Sequence, residues 1–270
     1  MRHDISMALT KRELKELREL THKKRRDETQ KFLVEVIRLV GEAVNSDFRV
    51  LEVLYTPDLM DTPAGKSTVQ LLKKKTPQVH QVTAREMELI SETVTFQGVV
   101  AVVKQKHFSL DSLLEKANGQ SVLVAFDGVS DPGNAGSMIR SCDWFGVDGI
   151  LMSLNSVEVY NPKVVRATMG GLFHLPIVEG VDLLLTLSTA KAAGYKVYVT
   201  DVGGEVHFDR VKYDSKSILV FGNEAWGVTD QVKQLADVRL AIRRYGAAES
   251  LNVGVACGVI LSTLHRLYDE

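Results

Sequence analysis

Apolar and polar residues follow two different patterns along the 270-residue chain, and these patterns divide it into two parts. In KFLVEVIRLVGEAVNS, apolar residues at Phe32, Val36, Leu39, Val40 and Val44 recur at helical spacing, which predicts a helix. RVLEVLYT and GVVAVVKQ are typical of strands, DTPAGKSTVQLLKKKT leads toward a helix, and REMELISET predicts another. We therefore expect a small α/β domain over residues 1–105, which begins with a charged helix or arm at residues 7–28.

From residue 121 onward the alternation becomes regular. Six apolar runs predict strands, with helices between most of them: SVLVAF, GILMS, HLPIVE, KVYVTD, SILVFG and VRLAI. This pattern favours a mostly parallel sheet covered on both faces, over residues 121–270, with residues 106–120 as a linker that carries a connecting helix. Ligands of such sheets bind at the carboxyl ends of the strands. The polar and glycine-containing stretches at 131–136, 222–227 and 243–252 fall at those ends, which predicts one site built from three loops.

Composition narrows the class of protein. Charged residues make up 25% and apolar residues 45% of the chain, which is ordinary for a globular protein. No apolar run reaches the ~18–20 residues of a membrane span. The first residues, MRHDISMALTKRELK, lack the apolar core of a signal peptide, so we expect a cytoplasmic protein with no membrane association.

The formal net charge of −1 conceals an asymmetry. Lys and Arg outnumber Asp and Glu by 19 to 15 in residues 1–106, whereas the ratio is 14 to 19 in residues 107–270. A basic first part points to a polyanionic partner. The densest clusters are KKRR and KKK, and the first of them supplies the candidate RNA contacts Lys23, Lys24, Arg25 and Arg26. Solvated charge on helix surfaces is the alternative explanation of either cluster.

Several familiar sites are disfavoured. AGKST at residues 64–68 resembles the end of a phosphate-binding loop, but Met60 stands where that loop needs a glycine. DVGGEV lacks dinucleotide spacing and predicts a tight turn. The histidines lack the spacing of zinc ligands, so we expect no metal. Cys142 and Cys257 lie in apolar helical contexts and are expected to be small core residues rather than a disulfide or metal pair.

Three segments stand out together. They are DPGNAGSMIRSCDWFGVDGIL (131–151), LVFGNEAWGV (219–228) and IRRYGAAESLNVGVACGVILSTL (242–264). Alone, each has a structural explanation: PGNAG a turn before the helix MIRSCDWFG, GNE a strand end, and the third a tightly packed helix. In this order they resemble the three signature motifs of the SpoU/TrmH family, RNA ribose 2′-O-methyltransferases of the SPOUT class. The resemblance covers about residues 120–266.

The first part resembles the substrate-binding domain of many family members, a small α/β module akin to a ribosomal protein. KFLVEVIRLVGEAV and ETVTFQGVVAVV carry this similarity, although Val36 and Phe96 stand where a glycine and a proline are usual. For the second part the resemblance implies a deep trefoil knot, an exception to the rule that chains avoid threading. It also implies S-adenosylmethionine as cofactor, and a homodimer formed through the knotted domain with each active site near the subunit interface.

The resemblance assigns roles to single residues. Main chain at Gly222, Ile242 and Leu251, with Thr200 nearby, would bind the cofactor, and a glycine permits close main-chain approach. The chemistry transfers a methyl group from a sulfonium to a ribose 2′-hydroxyl, a poor nucleophile that must be oriented. Arg140 would orient this hydroxyl and stabilise the alkoxide, because arginine is normally protonated. Asn134 would hold Arg140 or the ribose, Glu224 would pair with these cations, and Ser250 and Asn252 would complete the pocket.

Further basic residues are candidate RNA contacts. Arg243 and Arg244 stand where many members have a proline and an apolar residue, and they would add phosphate contacts. Arg166 is a third candidate, with a surface ion pair as its alternative. We expect structured RNA as substrate, ribosomal RNA rather than transfer RNA by analogy. Two other functions remain open: a non-catalytic RNA-binding or ribosome-assembly factor, and a dinucleotide-dependent oxidoreductase, which the missing Rossmann spacing disfavours.

Overall fold

The computed structural model describes residues 9–93, 96–115 and 119–269, with side chains up to Leu264. Parts of four sequence predictions lie outside these residues: Met7 and Ala8 of the charged arm, 94–95 of ETVTFQGVVAVV, 116–118 of the linker, and residue 270 of the second domain. By their internal contacts the residues form two compact units, Met1–Lys106 with Tyr160–Phe173, and His107–Val159 with His174–Glu270.

The helices are α1 (Lys11–Glu19), α2 (Lys23–Thr29), α3 (Ile37–Asn45), α4 (Pro63–Lys75), α5 (Ala84–Ile90), α6 (Leu110–Glu115), α7 (Pro132–Trp144), α8 (Pro162–Ala167), α9 (Leu183–Ala192), α10 (Asp230–Gln234) and α11 (Val253–Asp269). Short 3-10 helices lie at Pro57–Asp61, Gly171–Phe173 and Phe208–Arg210. The strands are β1 (Lys31–Glu35), β2 (Val50–Tyr55), β3 (Gln78–Gln81), β4 (Val99–Lys104), β5 (Ser121–Asp127), β6 (Gly149–Ser153), β7 (Ile177–Val181), β8 (Lys196–Thr200), β9 (Val206–His207), β10 (Lys216–Gly222) and β11 (Val238–Ala241).

The first unit is built on a mixed four-stranded sheet of order β1-β4-β2-β3. β4 pairs antiparallel with β1 and β2, and β3 pairs parallel with β2. Helices α1 and α5 cover one face, and each begins with a capping box, Thr10 with Glu13 and Thr83 with Glu86. Their apolar side chains pack with those of β1 and β4 in a core that includes Leu14, Leu17, Leu33, Met87, Ile90 and Val102.

The predicted helix in KFLVEVIRLVGEAVNS is wrong in its first third. Phe32 lies in β1, and α3 begins only at Ile37. Between them Val36 adopts a φ of 81°, a conformation that favours glycine and is strained for a β-branched residue. The apolar run before the break is buried and pairs with β4, so burial of a strand was mistaken for one side of a helix.

AGKST is part of a helix and not of a phosphate-binding loop. It lies in the first turns of α4, where the Thr62 hydroxyl accepts a hydrogen bond of 3.0 Å from the Gly65 amide. A Cβ on Gly65 would collide with the Leu59 carbonyl, so the glycine serves close packing against the preceding 3-10 helix.

The second unit contains a seven-stranded sheet of order β7-β6-β5-β10-β8-β11-β9. All neighbouring strands pair in parallel, which confirms the predicted parallel α/β sheet. The six predicted strands are present, and β9 is an addition at the edge. Residues 160–173 were predicted to belong to the second domain, but by contacts they group with the first unit, in which α8 packs on β1.

The segment DVGGEV and the two cysteines have the structural roles that the sequence predicted for them. The Gly204 amide donates to the Asp201 carbonyl at 3.0 Å, which confirms a tight turn in DVGGEV. Cys142 on α7 and Cys257 on α11 are buried free thiols, as predicted. Burial raises the pKa of the Cys142 thiol well above its ordinary value, and a hydrogen bond with Cys257 adds to this. Within the described ranges no helix has the length and apolarity to span a membrane, and no cluster of side chains could hold a metal ion.

Candidate active site

The segment PGNAG forms the start of a helix rather than the predicted turn. Asp131 caps α7 by accepting a hydrogen bond of 2.8 Å from the Asn134 amide, and Pro132 occupies the first helical position. Both residue types are favoured at these positions, because an aspartate side chain binds an unpaired amide and proline needs none. Asn134 is therefore held on the first turn of a helix, at the carboxyl end of β5.

Asn223 joins the loop after β10 to the loop after β5. Its side-chain nitrogen donates to the Gly128 carbonyl at 2.7 Å and to the Ser130 hydroxyl at 3.3 Å, while its side-chain oxygen accepts from the Ala225 amide at 2.8 Å. A buried amide with its donors and acceptor in use fixes geometry strongly. The first two predicted motifs are thereby connected.

The Glu224 carboxylate is surrounded by neutral donors at the start of α7. It accepts hydrogen bonds from the Ser130 amide and hydroxyl (both 3.2 Å), the Asp131 amide (3.1 Å) and the Asn134 side-chain nitrogen (3.0 Å). Partial burial by itself raises the pKa of Glu224, but these hydrogen bonds outweigh it and hold the pKa below its ordinary value. A helix N-terminus also favours an anion. The predicted pairing of Glu224 with cations is wrong for the single chain.

Asn134 and Asn252 connect the first and third motifs. The Asn252 side-chain nitrogen donates to the Asn134 side-chain oxygen at 2.9 Å. The Asn252 side-chain oxygen accepts from the Gly254 amide (2.9 Å) and the Val255 amide (3.2 Å), so the same side chain caps α11. Asn134 thus uses its oxygen toward Asn252 and its nitrogen toward Glu224. We call this chain of three side chains, Glu224–Asn134–Asn252, the polar relay.

Small residues allow α11 to approach α7 closely. A Cβ on Gly254 would lie 2.7 Å from the Ser137 hydroxyl, and one on Gly258 would lie 3.9 Å from the Ser141 hydroxyl. Both serine hydroxyls are bonded back to α7 itself, Ser137 to the Asn134 carbonyl and Ser141 to the Ser137 carbonyl. The run of small residues therefore presses α11 onto the helix that carries Asn134 and Arg140.

Arg140 is exposed and lies on a different side of α7 from the polar relay. Six residues after Asn134, it is rotated by roughly 240° around the helix axis. Its guanidinium makes no hydrogen bond or ion pair with any residue in the described ranges. Trp144, one turn further, is 83% exposed on the same outer side. Within one chain the structure therefore does not bring Arg140 to Asn134 or Glu224.

The residues predicted to bind the cofactor lie at the ends of neighbouring strands. Gly222 ends β10, Thr200 ends β8, and Ile242 follows β11. A Cβ on Gly222 would collide with the main chain of Gly227 and Val228, so this glycine is required where the loop turns back on its own strand. The Thr200 hydroxyl donates to the Val220 carbonyl at 3.0 Å. Leu251 is 49% exposed, a high value for an apolar side chain beside a predicted pocket.

The loop from residue 243 to 251 has unused main-chain groups. Its residues are exposed, and no main-chain hydrogen bond joins their peptide groups to the part of the chain that the structure describes. The Arg244 side chain reaches the Ala248 carbonyl at 3.5 Å, and the Arg243 guanidinium lies 6.0 Å from the Tyr245 ring centre. Ser250 makes no hydrogen bond within the described residues. Free peptide groups beside exposed apolar side chains suit a ligand held mainly by main chain.

The predicted RNA contacts at residues 23–26 are in different environments. Lys23 and Lys24 are exposed on α2, and Arg25 lies 3.4 Å from Glu28 and 3.9 Å from Glu19. Arg26 is 2% exposed, and its guanidinium donates to the carbonyls of Leu20 (2.9 Å) and Thr21 (2.6 Å), just after α1. A buried guanidinium that satisfies chain carbonyls cannot also contact RNA, so the prediction for Arg26 is wrong.

Arg166 forms an ion pair, as its alternative explanation had it, but with a buried carboxylate and not at the surface. In the first unit its guanidinium lies 3.9 Å from the carboxylate of Glu35, which is 4% exposed. The same carboxylate accepts hydrogen bonds from the Ser91 hydroxyl and the Glu92 amide, both at 3.1 Å. Arg166 therefore balances a buried charge.

Three residues of the site were missed by sequence reasoning. Asn223 and Ser130 connect the loops, and Asp127, buried at the end of β5, accepts bonds of 2.8 Å from the amide and the hydroxyl of Thr229. Each is a polar residue at or just after a strand end, which is the only signal that the sequence offered. Asp127 and Asn223 hold the two ends of the 223–229 loop.

Comparison with known proteins finds a matching family model for each of the two parts of the chain. The model of the SpoU rRNA Methylase family matches residues 121–262, and that of an MRM3-like substrate binding domain matches residues 11–101. The 23S rRNA (guanosine(2553)-2′-O)-methyltransferase RlmP of Bacillus subtilis is 32% identical over 92% of this chain and 94% of its own. The 23S rRNA (uridine(2479)-2′-O)-methyltransferase of Streptomyces viridochromogenes is 30% identical over 90% and 85%.

Two solved structures extend the likeness to the fold. The SpoU methyltransferase AviRb from Streptomyces viridochromogenes, in complex with AdoMet, has a TM-score of 0.86 and 26% identity over 97% of this chain and 99% of its own. An AdoMet-bound rRNA methyltransferase from Sinorhizobium meliloti has a TM-score of 0.85 and 28% identity over 96% of both chains.

Proposed function

The chain belongs to the SpoU rRNA methylase family and is an S-adenosylmethionine-dependent RNA 2′-O-methyltransferase, and we propose that its acceptor is a ribose 2′-hydroxyl in ribosomal RNA. The polar relay carries this proposal, because it joins one side chain from each of the three family motifs by hydrogen bonds of 2.9–3.0 Å. The relatives named above act on 23S rRNA, which supports ribosomal RNA as substrate in preference to transfer RNA.

The residues present fit S-adenosylmethionine. Exposed Leu251 and half-buried Ile242 offer apolar contact for an adenosine, and the peptide groups of residues 243–251, which make no main-chain hydrogen bond to the described residues, offer donors and acceptors. Main chain near Gly222 and the end of β8 at Thr200 would complete the binding site. When bound, the cofactor supplies an electrophilic methyl group on a sulfonium.

The chain's own groups then act on the acceptor. The Arg140 guanidinium, which carries only N–H donors, would donate to the ribose 2′-oxygen and stabilise the negative charge that develops there. The hydrogen bonds of the polar relay fix the side chain of Asn134 at the start of α7. In this proposal, positioning of the acceptor contributes more to the rate than abstraction of its proton. Ser250 and Asn252 lie on either side of Leu251 and would line the acceptor's binding site.

The path of the chain supports a trefoil knot. β11 is separated from β5 by β8 and β10, yet α11 packs against α7, which follows β5. The segment 242–252 must therefore cross back over the carboxyl ends of the intervening strands, next to the 223–229 loop. Threading of this segment beneath that loop would make the knot that the family likeness implies.

A second copy of the chain is the partner that we propose for the second unit. Large apolar side chains are exposed on α7, α11 and the motif loops: Trp144 83%, Trp226 67%, Tyr245 87%, Leu251 49% and Val255 51%. Monomeric proteins rarely expose such sets. A homodimer would cover them and bring Arg140 of one copy toward the polar relay of the other.

The decisive experiment maps 2′-O-methylated nucleotides in RNA from cells with and without this protein. A single ribosomal site that disappears with the protein, and returns when purified protein and labelled S-adenosylmethionine are added to the unmethylated RNA, supports the proposal. RNA binding without a 2′-O-methyl product would instead favour a non-catalytic assembly factor.

A further inference from the structure

Three cations lie side by side across the sheet of the first unit. Lys31 on β1 is directly opposite Lys104 on β4. On the other side of β4, Val50 is opposite Val103, and the Lys104 amide donates to the Arg49 carbonyl at 3.0 Å, which extends the pairing to Arg49. We call Lys31, Lys104 and Arg49 the cationic row.

The three side chains point to the same face of the sheet. Directly opposite residues of antiparallel strands share a face. The Gln105 amide donates to the Gln30 carbonyl at 2.8 Å, which makes the neighbouring Lys31–Lys104 pair a non-hydrogen-bonded one. Such pairs have the closest approach, about 4.5 Å between Cα atoms. The cationic row therefore lies on the same face of the sheet as Leu33 and Val102. It is next to the apolar core of which these two residues are part.

Nearby anions do not balance this charge. Like charges directly opposite destabilise a sheet. Lys104 and Arg49 are exposed and form no ion pair with any residue in the described ranges. Glu52 is the carboxylate that faces Lys31; burial raises its pKa, and His80 and Lys31 partly reverse that shift. The free protein thus keeps a repulsion that a polyanion would remove.

We propose that the cationic row binds consecutive phosphates of the substrate RNA. This proposal rests on the proposed function in one respect, because it assumes that RNA is the substrate. A phosphate chain carries evenly spaced charges, as does a row of cations on neighbouring strands about 4.8 Å apart. Lysine supplies a point charge and arginine a bidentate contact. Exposed Lys23 and Lys24 on α2, which packs beside β1, extend the same charge.

The test uses the full-length protein and substitutions at Lys104, the centre of the row. Lys104→Gln is expected to weaken binding of ribosomal RNA by about tenfold at low salt and to reduce the salt slope by about 0.7–0.9, the value of one phosphate contact. Lys104→Glu is expected to weaken binding further, yet to raise the melting temperature by roughly 1–4 °C at low salt, since it places a carboxylate between two cations. A higher melting temperature together with a lower RNA affinity would indicate that the cationic row serves ligand binding and not stability.

Controls separate this inference from the function itself. Lys66→Gln removes an exposed cation of the same unit outside the row and is expected to leave RNA affinity unchanged. The double variant Lys31→Gln with Arg49→Gln removes two cations and is expected to lose more affinity than Lys104→Gln, with about twice its change in salt slope. If wild-type protein binds and methylates RNA while the row variants keep its affinity and salt slope, the row is not an RNA site. If wild-type protein binds no RNA, or binds polyglutamate equally well, the proposed substrate and the row both fail.

Discussion

The side-chain nitrogen of Asn252 donates a hydrogen bond of 2.9 Å to the side-chain oxygen of Asn134, across 118 positions of sequence. Through Asn134 this contact continues to Glu224, so the start of α11 is connected to the start of α7 and to the loop after β10. Each of the three segments contributes an uncharged or anionic group, and Arg140, the cation of the first motif, stands apart. This arrangement separates the residues that build the candidate site from Arg140, the residue that we propose acts on the acceptor.

Substitution of Asn252 by aspartate is expected to separate its two roles. Aspartate can still accept from the Gly254 and Val255 amides and cap α11, but it has no donor for Asn134. We expect Asn252→Asp to keep the wild-type melting temperature and to lose at least tenfold in methyl transfer. Asn252→Ala should lose the same activity and about 1 kcal/mol of stability as well. Equal melting temperatures for the two variants would contradict the capping role.

Arg140→Ala is expected to abolish methyl transfer and to leave cofactor affinity nearly unchanged. The side chain is exposed and unbonded among the described residues, so its removal costs the fold little. Calorimetric titration with S-adenosylmethionine and a labelled-methyl assay give the two measurements, and Arg140→Lys serves as a matched variant that keeps the charge but not the planar donors. Loss of cofactor binding in a folded Arg140→Ala protein would show that the assigned role is wrong.

Glu224 is expected to make stability depend on pH in the acidic range. Its pKa in the folded chain lies below its ordinary value of 4.5, so the ionised form contributes stability that is fully present above pH 4.5 and is lost as the pH falls through the folded pKa. The free energy of unfolding, measured against pH for wild type and Glu224→Gln, should differ most above pH 4.5 and converge below it. A constant difference across this range would argue against the depressed pKa.

Arg26→Met is expected to destabilise the first unit by about 2–3 kcal/mol. It leaves the carbonyls of Leu20 and Thr21 without their donor in a buried setting. Lys24→Met, two residues earlier on the exposed side of α2, should stay within about 0.5 kcal/mol of wild type. Chemical denaturation of both variants measures the difference. Similar stabilities would mean that the Arg26 contacts contribute little.

Val36→Gly is expected to stabilise the chain by about 1 kcal/mol. A β-branched residue at a φ of 81° carries strain on the order of 1–3 kcal/mol, and glycine relieves it at the cost of more freedom in the unfolded chain. Val36→Ala keeps a Cβ at the same φ and should give no such gain. If alanine stabilised the chain as much as glycine, relief of crowding by the branched valine side chain, and not the strain of a Cβ at positive φ, would explain the result.

Much of the fold could be predicted because local pattern and burial agree in the second unit. The six predicted strands, β5 to β8 with β10 and β11, are short apolar runs mostly bounded by glycine, proline or aspartate, and parallel strands are buried on both faces, so their pattern has few alternatives. The break between β1 and α3 could not be predicted in this way. The valine itself gives no sign of a positive φ, and the glycine that is usual at this position in the family was the one indication of it.

The candidate site was predicted as a set of residues but not as a set of contacts. Asn134, Glu224 and Asn252 were named from motif order, yet their hydrogen bonds, the neutral donors around Glu224 and the distance of Arg140 from them appear only in three dimensions. Arg26 shows the same limit, since one arginine of KKRR is buried while its neighbours on α2 face solvent. The position of each residue around the helix axis determines which side chain is buried, and a run of four cations gives no indication of that position.

The order of apolar runs along the chain was enough to predict a parallel α/β sheet, and the resemblance of three polar motifs predicted an RNA methyltransferase family with a set of candidate site residues. The tertiary structure alone decided which of those residues touch, which carboxylate stays ionised, and that Lys31, Arg49 and Lys104 form one row. The physical reason is that hydrogen bonds and charge repulsion depend on distances of a few ångströms, and strand register and helix packing set these distances between residues far apart in sequence.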